Sequence, residues 1–271
     1  MTTTLRAIDF TPPLVAPANP HGLDAATTWA DSLDGEALRW LPAGVQFRLR
    51  THRASSAFGS WGASWCADPN DLDPEDDVKT GPPFVDDDPD PFAPFSTFAF
   101  DRLQECGNLS EFDRREVHER AEQTFQVKEP IAVETEFSTR LVTDAGTPEI
   151  VDDLISAVGH LEETFAATGA TGLVHARVGL LALAQNLRLT VRDPATPGVL
   201  RTPAGHRWVF GGGYATPLGD TLIATSPTYG WRGPIGVREA IQYERNQFVV
   251  IAERSLVVGY ETVIGAAEIT P

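Results

Sequence analysis

Gly205-His-Arg-Trp-Val-Phe-Gly-Gly-Gly-Tyr214 sets a short strand, 207–210, directly against a run of three glycines. Glycines after a strand are where a phosphate-binding loop would sit. Here the next residues are Tyr-Ala-Thr-Pro-Leu-Gly, with no Gly-Lys-Ser/Thr. Pro217 also obstructs the helix start whose free N–H groups would hold a phosphate. The run therefore reads as a tight turn between strands. The same texture extends to both sides. Residues 173–176 (Leu-Val-His-Ala) form a short strand and 178–187 a compact apolar helix. Strands over 187–192, 199–202, 221–225 and 235–240 are separated by turn signals at Asp193-Pro194 and at 203–205. A last apolar stretch runs over 248–258 and resumes to Ile269.

N-terminal to this block the periodicity is helical. Asn108-Leu-Ser-Glu111 is a helix start, with Asn108 or Ser110 as cap and Glu111 or Asp113 in the first turn. Phe112, Val117, Ala121, Thr124 and Phe125 then lay one apolar stripe among charges, which predicts a surface-lying helix over 110–129. Pro130 ends or kinks it, and 131–137 restarts it. A second helix opens at Thr147-Pro148-Glu149, keeps Ile150, Ile155, Val158, Leu161 and Phe165 on one face, and stops at Gly169. Helices in the middle and strands dominating the end make an α+β layout without internal repeats.

The first half reads differently. Thr-Pro-Pro at 11–13 and Ala-Pro-Ala-Asn-Pro at 16–20 cannot propagate a helix, so residues 1–45 are an extended arm, followed by a half-buried strand over 45–50. Asp71, Asp73, Glu75, Asp76, Asp77, Asp86, Asp87, Asp88 and Asp90 are interrupted by four prolines. Like charges and prolines together predict a projecting loop. A calcium hand fails there, because the sixth position from Asp71 is Asp76 and not glycine.

The 271 residues allow one large domain or two small ones, and 42% hydrophobic residues fit a folded chain. No stretch is apolar and long enough to cross a membrane as a helix, and residues 1–20 lack a secretory pattern. The chain therefore reads as soluble and intracellular where it is made. A net charge of -17 argues against bulk affinity for nucleic acid. Lys79 and Lys128 are the only lysines, an arginine bias that a GC-rich genome produces. Two cysteines, Cys66 and Cys106, build neither a disulfide framework nor a four-cysteine zinc site. The histidines (21, 52, 118, 160, 175, 206) show no i, i+4 pairing, and His175 reads as a satisfied core or interface residue. There is no Gly-x-Ser-x-Gly elbow, and Cys66 in Ser-Trp-Cys-Ala-Asp-Pro reads as a structural thiol. No catalytic, cofactor-binding or metal-ligating residue is assigned, no cofactor is expected, and the chain reads as an association protein and not an enzyme.

Four strings in order carry a resemblance over roughly 95–270. Gly172-Leu-Val-His-Ala176 leads into the apolar helix 178–187, and Gly205–Tyr214 follows as a glycine-tyrosine strand and turn. Tyr229-Gly-Trp-Arg-Gly-Pro-Ile235 and Asn246-Gln-Phe-Val-Val-Ile-Ala-Glu-Arg254, continued by 256–267, complete the set. Together they resemble the major capsid protein of tailed bacteriophages, the Hong Kong 97-like shell fold, in the form found in actinobacterial phages. The resemblance implies an N-terminal arm (1–45) over a neighbouring subunit and a strand with an acidic extended loop (46–95). It implies a peripheral domain (96–172) with a spine helix (110–129), an axial domain (173–230) at the five- and six-fold positions, and a return to the peripheral domain (231–271).

The implied function is a virion structural protein. It would self-assemble as hexamers and pentamers into the icosahedral head shell enclosing double-stranded DNA, without sequence-specific binding and without a membrane. A separate scaffolding protein, a portal and possible decoration proteins would be its partners, and it would assemble in the host cytoplasm. The alternative is an encapsulin-type nanocompartment shell, and a third class is a metal-dependent hydrolase. Some family members cross-link through a loop lysine and an asparagine; Lys79 and Asn246 are the corresponding candidates here. Repulsion between subunits must be offset by apolar burial and local pairing, for which Arg114, Arg115, Arg120, Arg238, Arg245 and Arg254 are candidates.

Overall fold

The computed structural model describes residues 19–31, 92–104, 110–169, 171–245 and 247–270, with Phe47, Cys66, Asp68 and Asn70. Most of the arm, the strand 45–50 apart from Phe47, the acidic residues from Asp71 to Asp90, Lys79 and Asn246 lie outside them. Among the described residues no helix is long and apolar enough to cross a membrane, which says nothing of a β-barrel.

The spine is one helix, Glu111–Ala145, and not a helix over 110–129 with a restart. It begins at a reciprocal cap: Ser110 Oγ accepts from the Asp113 N–H at 3.3 Å, and the Asp113 carboxylate accepts from the Ser110 N–H at 3.0 Å. Pro130 lies inside it, where the missing donor and the ring together cost about 3 kcal/mol. The buried residues explain why the helix continues. Val117, Ala121, Phe125, Glu129, Val133, Phe137 and Leu141 recur at a step of four, straight through the proline. Burying Val133, Phe137 and Leu141 contributes about 1.5–3 kcal/mol each, more than the proline removes. Phe112 and Thr124, expected on this stripe, are exposed.

Two sheets flank the helix. The first holds β1 (Thr28–Asp31), β2 (Phe95–Gln104), β9 (Thr228–Arg232), β10 (Gly236–Gln242) and β11 (Gln247–Tyr260). Long β11 pairs antiparallel with β2 from Gln247↔Gln104 to Leu256↔Phe95, and with β10 along its other edge. The N-terminal half of the spine helix packs here, with Val117, Ala121 and Phe125 against Phe248, Val250, Ala252 and Ala99.

The second sheet has the order β3-β12-β8-β4-β7-β6-β5. Its strands are β3 (Glu149–Val151), β4 (Leu173–Arg177), β5 (Val191–Arg192), β6 (Leu200–Arg201), β7 (Arg207–Gly211), β8 (Thr221–Thr225) and β12 (Val263–Ile269). Successive side chains alternate between two cores, as the period of two requires. Val174, Ala176, Trp208, Phe210, Leu222 and Ala224 pack with the helix Leu154–Thr168. Leu173, Val209 and Ile223 pack on the other face with Val133, Phe137 and Leu141 of the spine helix and with Leu256 and Val258 of the first sheet. The strands expected over 187–192 and 199–202 shrink to two residues each, and 178–187 is a 3₁₀ turn followed by the short helix Leu181–Asn186.

Further expectations are corrected. Thr147-Pro148-Glu149 does not open a helix, because 149–151 pairs parallel with β12 (Glu149↔Ala267) and the helix starts at Leu154. Its cap is Asp153, accepting from the Ser156 N–H at 2.7 Å, and Gly169, at φ +66°, ends it as expected. Ile150 and Ile155 are exposed, so Leu154, Ala157, Val158, Leu161 and Phe165 form the apolar face. Residues 19–31, inside the expected arm, belong to the chain's own core. Leu23, in the helical turn Leu23–Ala26, is fully buried, and β1 pairs parallel with β9. The segment 173–230 also shares its strands: 228–232 joins the first sheet, while β3 and β12 join the second.

Candidate functional site

Glu134 and His175 are the ionisable side chains among the buried polar residues, Ser138, Thr225 and Thr228 included, where the second sheet, the spine helix and the N-terminal segment meet. The Glu134 carboxylate accepts the Leu23 N–H at 3.1 Å and the Gly213 N–H at 2.9 Å, tying three distant segments to one side chain. Burial pushes its carboxyl pKa above the ordinary value, partly opposed by these backbone donors. Gly213 packs so closely that a Cβ there would lie 2.4 Å from the Ile131 carbonyl oxygen and 2.6 Å from the Glu134 Cβ. At neighbouring Gly212 the nearest atoms would stand at 3.9 and 4.0 Å. Gly213→Ala is therefore expected to lose about 1–3 kcal/mol in urea unfolding, and Gly212→Ala clearly less; equal losses would contradict this packing.

His175 is fully enclosed. The Thr225 hydroxyl donates to the Ser226 carbonyl at 2.8 Å, so it accepts from the imidazole Nε2–H at 2.9 Å. Nδ1 then accepts the Tyr214 hydroxyl at 3.1 Å. Every proton in this chain of bonds is placed with the imidazole neutral, and burial lowers its pKa to about 3. The sequence reading of His175 as a satisfied core residue is correct. With no opening to solvent, the cluster orders the core and offers nothing to a substrate. Among the described residues no group of three or more His, Cys, Asp or Glu is placed to hold a metal ion.

What the surface offers is apolar area. The spine helix packs on one face of β2 and β11 and meets Val237 of β10. The opposite face carries Phe98 (68% exposed), Phe100 (58%) and Ile251 (37%), with Phe100 directly across from Ile251. Tyr243, at the turn between β10 and β11, is 87% exposed. Apolar side chains grouped on one sheet face are the kind of surface through which proteins contact other macromolecules. The arginines named as possible contacts between copies are largely engaged within the chain. Arg254 forms a two-pronged pair with Glu129 beneath the sheet, Arg120 pairs with Asp101 and with Glu116, and Arg238 lies 3.5 Å from Glu253. The Arg114 guanidinium lies over the Phe248 ring. Arg115 and Arg245 remain exposed.

No protein-family model matches the chain, and no curated protein sequence matches it. Solved structures do. The chain is similar to a subunit of the capsid of a native GTA particle, with TM-score 0.58 and 12% identity, covering 98% of this chain and 94% of that one. It is similar to a protein of Mycobacterium phage Bobi, with TM-score 0.55 and 16% identity over 99% and 97% of the two chains. It also matches a protein of Mycobacterium phage Adephagia, with TM-score 0.51 and 16% identity over 99% and 95%. Identities this low speak to fold, and the matches run nearly end to end. The chain has the α+β, Hong Kong 97-like fold of phage and GTA capsid subunits.

Proposed function

We propose that this chain is the major capsid protein of a tailed bacteriophage, a structural and non-catalytic subunit that tiles an icosahedral head shell around double-stranded DNA. The observation that carries the reading is the near end-to-end likeness to a capsid subunit, together with the Phe98–Phe100–Ile251 face left open on the side of the sheet away from the spine helix. In this reading the seven-stranded sheet with helix Leu154–Thr168 takes the axial position. The spine helix and the β2–β11–β10 region take the peripheral one. Of the expected loop 46–95, Phe92 packs in this chain's own core and Phe95 opens β2, so the acidic stretch before them would supply the loop over the next subunit. Each contact contributes little, and closed symmetry repeats it until the shell is stable. An acidic subunit suits a container that retains DNA by closure and not by affinity. Scaffold, portal and decoration partners, and assembly in the host cytoplasm before residence in the virion, belong to the same proposal.

The test is the content of particles purified from cells that carry the phage. Nuclease-resistant duplex DNA inside shells of this chain is the expected result. Shells filled with a co-purified enzyme would move the assignment to a cellular nanocompartment, and a soluble monomer with hydrolytic activity would end it.

A further inference from the structure

The two ends of the seven-stranded sheet are chemically opposite. At one end lie β3 and the start of the following helix, where Ile150 and Ile155 are exposed beside Glu149 and Asp152. No basic residue occurs between Arg140 and His160, so nothing in that segment neutralises them. At the other end lies β5, and in the chain leading into it from the helix Leu181–Asn186 the apolar Leu183, Leu187 and Val191 are exposed in sequence with Arg188 and Arg192. No acidic residue occurs between positions 178 and 192, and Asp193 is engaged by Arg201 at 2.6 Å. Among the described residues none of Glu149, Asp152, Arg188 and Arg192 has an ion-pair partner. Six strand spacings of about 4.8 Å put the two ends roughly 29 Å apart, on opposite sides of the unit.

Resting on the capsid reading, we propose that these ends are the two halves of one contact. The acidic β3 end of one copy would dock on the basic β5 end of the next, each bringing an apolar centre ringed by complementary charge. A two-fold contact would set Glu149 and Asp152 against their own copies, and likewise Arg188 and Arg192, so like-charge repulsion disfavours it. Joining unlike ends is a head-to-tail contact, the kind that builds a ring when the rotation between copies closes. Both edge strands are too short, at three and two residues, for an extended ladder, so side chains carry the contact. The same asymmetry lets a chain of net charge -17 associate: the attraction is local, where the bulk repulsion is screened beyond about 8 Å at physiological salt.

The test uses the full chain and counts assembled particles by sedimentation and electron microscopy, with circular dichroism confirming the fold. Glu149→Arg with Asp152→Arg is expected to lower particle yield at least tenfold, as is Arg188→Glu with Arg192→Glu. All four together restore complementarity and are expected to recover most of the yield. Single-edge variants assembling like the wild type, or a fourfold variant that stays unassembled, would overturn the contact. A second readout is independent of charge. Ile150→Cys with Val191→Cys, in a chain carrying Cys66→Ser and Cys106→Ser, is expected to give a ladder of disulfide-linked multimers on oxidation; its absence would overturn the contact as well. Wild-type particles with unaffected variants would defeat this contact alone, whereas a wild-type chain that never assembles would defeat the capsid reading and the contact with it.

Discussion

Glu129→Ala should destabilise the folded chain by about 3–5 kcal/mol, the usual consequence of leaving one charge of a buried pair without its partner. Glu129 lies on the inner row of the spine helix. Its carboxylate takes both prongs of the Arg254 guanidinium, with Arg254 Nε at 2.7 Å. The Thr97 hydroxyl donates to the same carboxylate at 3.2 Å, so one acidic side chain joins helix, β2 and β11. The pair's side chains are 8% and 16% exposed, and the guanidinium lies over Phe125, so water cannot replace the missing acceptor. Urea unfolding should show a lower midpoint with an unchanged slope. The companion variant Glu129→Leu with Arg254→Met should lose less than Glu129→Ala alone, because it removes both charges and keeps the volume. Equal or larger loss in the double variant would show that the pair contributes net stability and does not merely satisfy its own burial.

Acid should weaken the fold well above the pH at which carboxylates protonate. Unfolded, His175 binds its proton near pH 6.5; folded, it does so only near pH 3. Between these values the unfolded chain holds more protons, so stability is complete above 6.5 and falls as the pH falls. From pH 8 to pH 5 the loss from this one residue is about 2 kcal/mol. His21 and His206, both lowered by burial, act in the same sense. Glu134 acts against them: its raised pKa means the folded chain takes up the proton first, which adds stability on acidification. His175→Gln isolates the first effect. It keeps a donor and an acceptor for Thr225 and Tyr214 but cannot charge, so its stability should vary less between pH 8 and pH 5, by about 2 kcal/mol. Parallel curves for variant and wild type would contradict the neutral, enclosed imidazole.

Much of the α+β arrangement can be read from local pattern. The strands at 173–177, 207–211 and 221–225 are short, mainly apolar runs bounded by turn residues and buried on both faces, with His175 and Thr225 as hydrogen-bonded exceptions. Where local punctuation competes with tertiary pairing, the pairing wins. Pro130 reads as a stop only if the step-four row from Val117 to Leu141 is not followed across it. Thr147-Pro148-Glu149 has the chemistry of a helix start, yet a parallel partner more than a hundred residues later takes the segment into a sheet. Glu134 had no signal of its own in the sequence, since its donors stand 111 and 79 residues away. The opposite charges of the sheet's two ends are visible as composition. Their meaning appears only when β3 and β5 prove to be the outermost strands of one sheet.

Sedimentation and electron microscopy of the purified full chain at rising concentration test the central claim most directly. Closed shells in the megadalton range, built of five- and six-fold clusters, are the expected result. A chain that stays monomeric at every concentration, with Phe98 and Phe100 open to water and no tendency to associate, would contradict it.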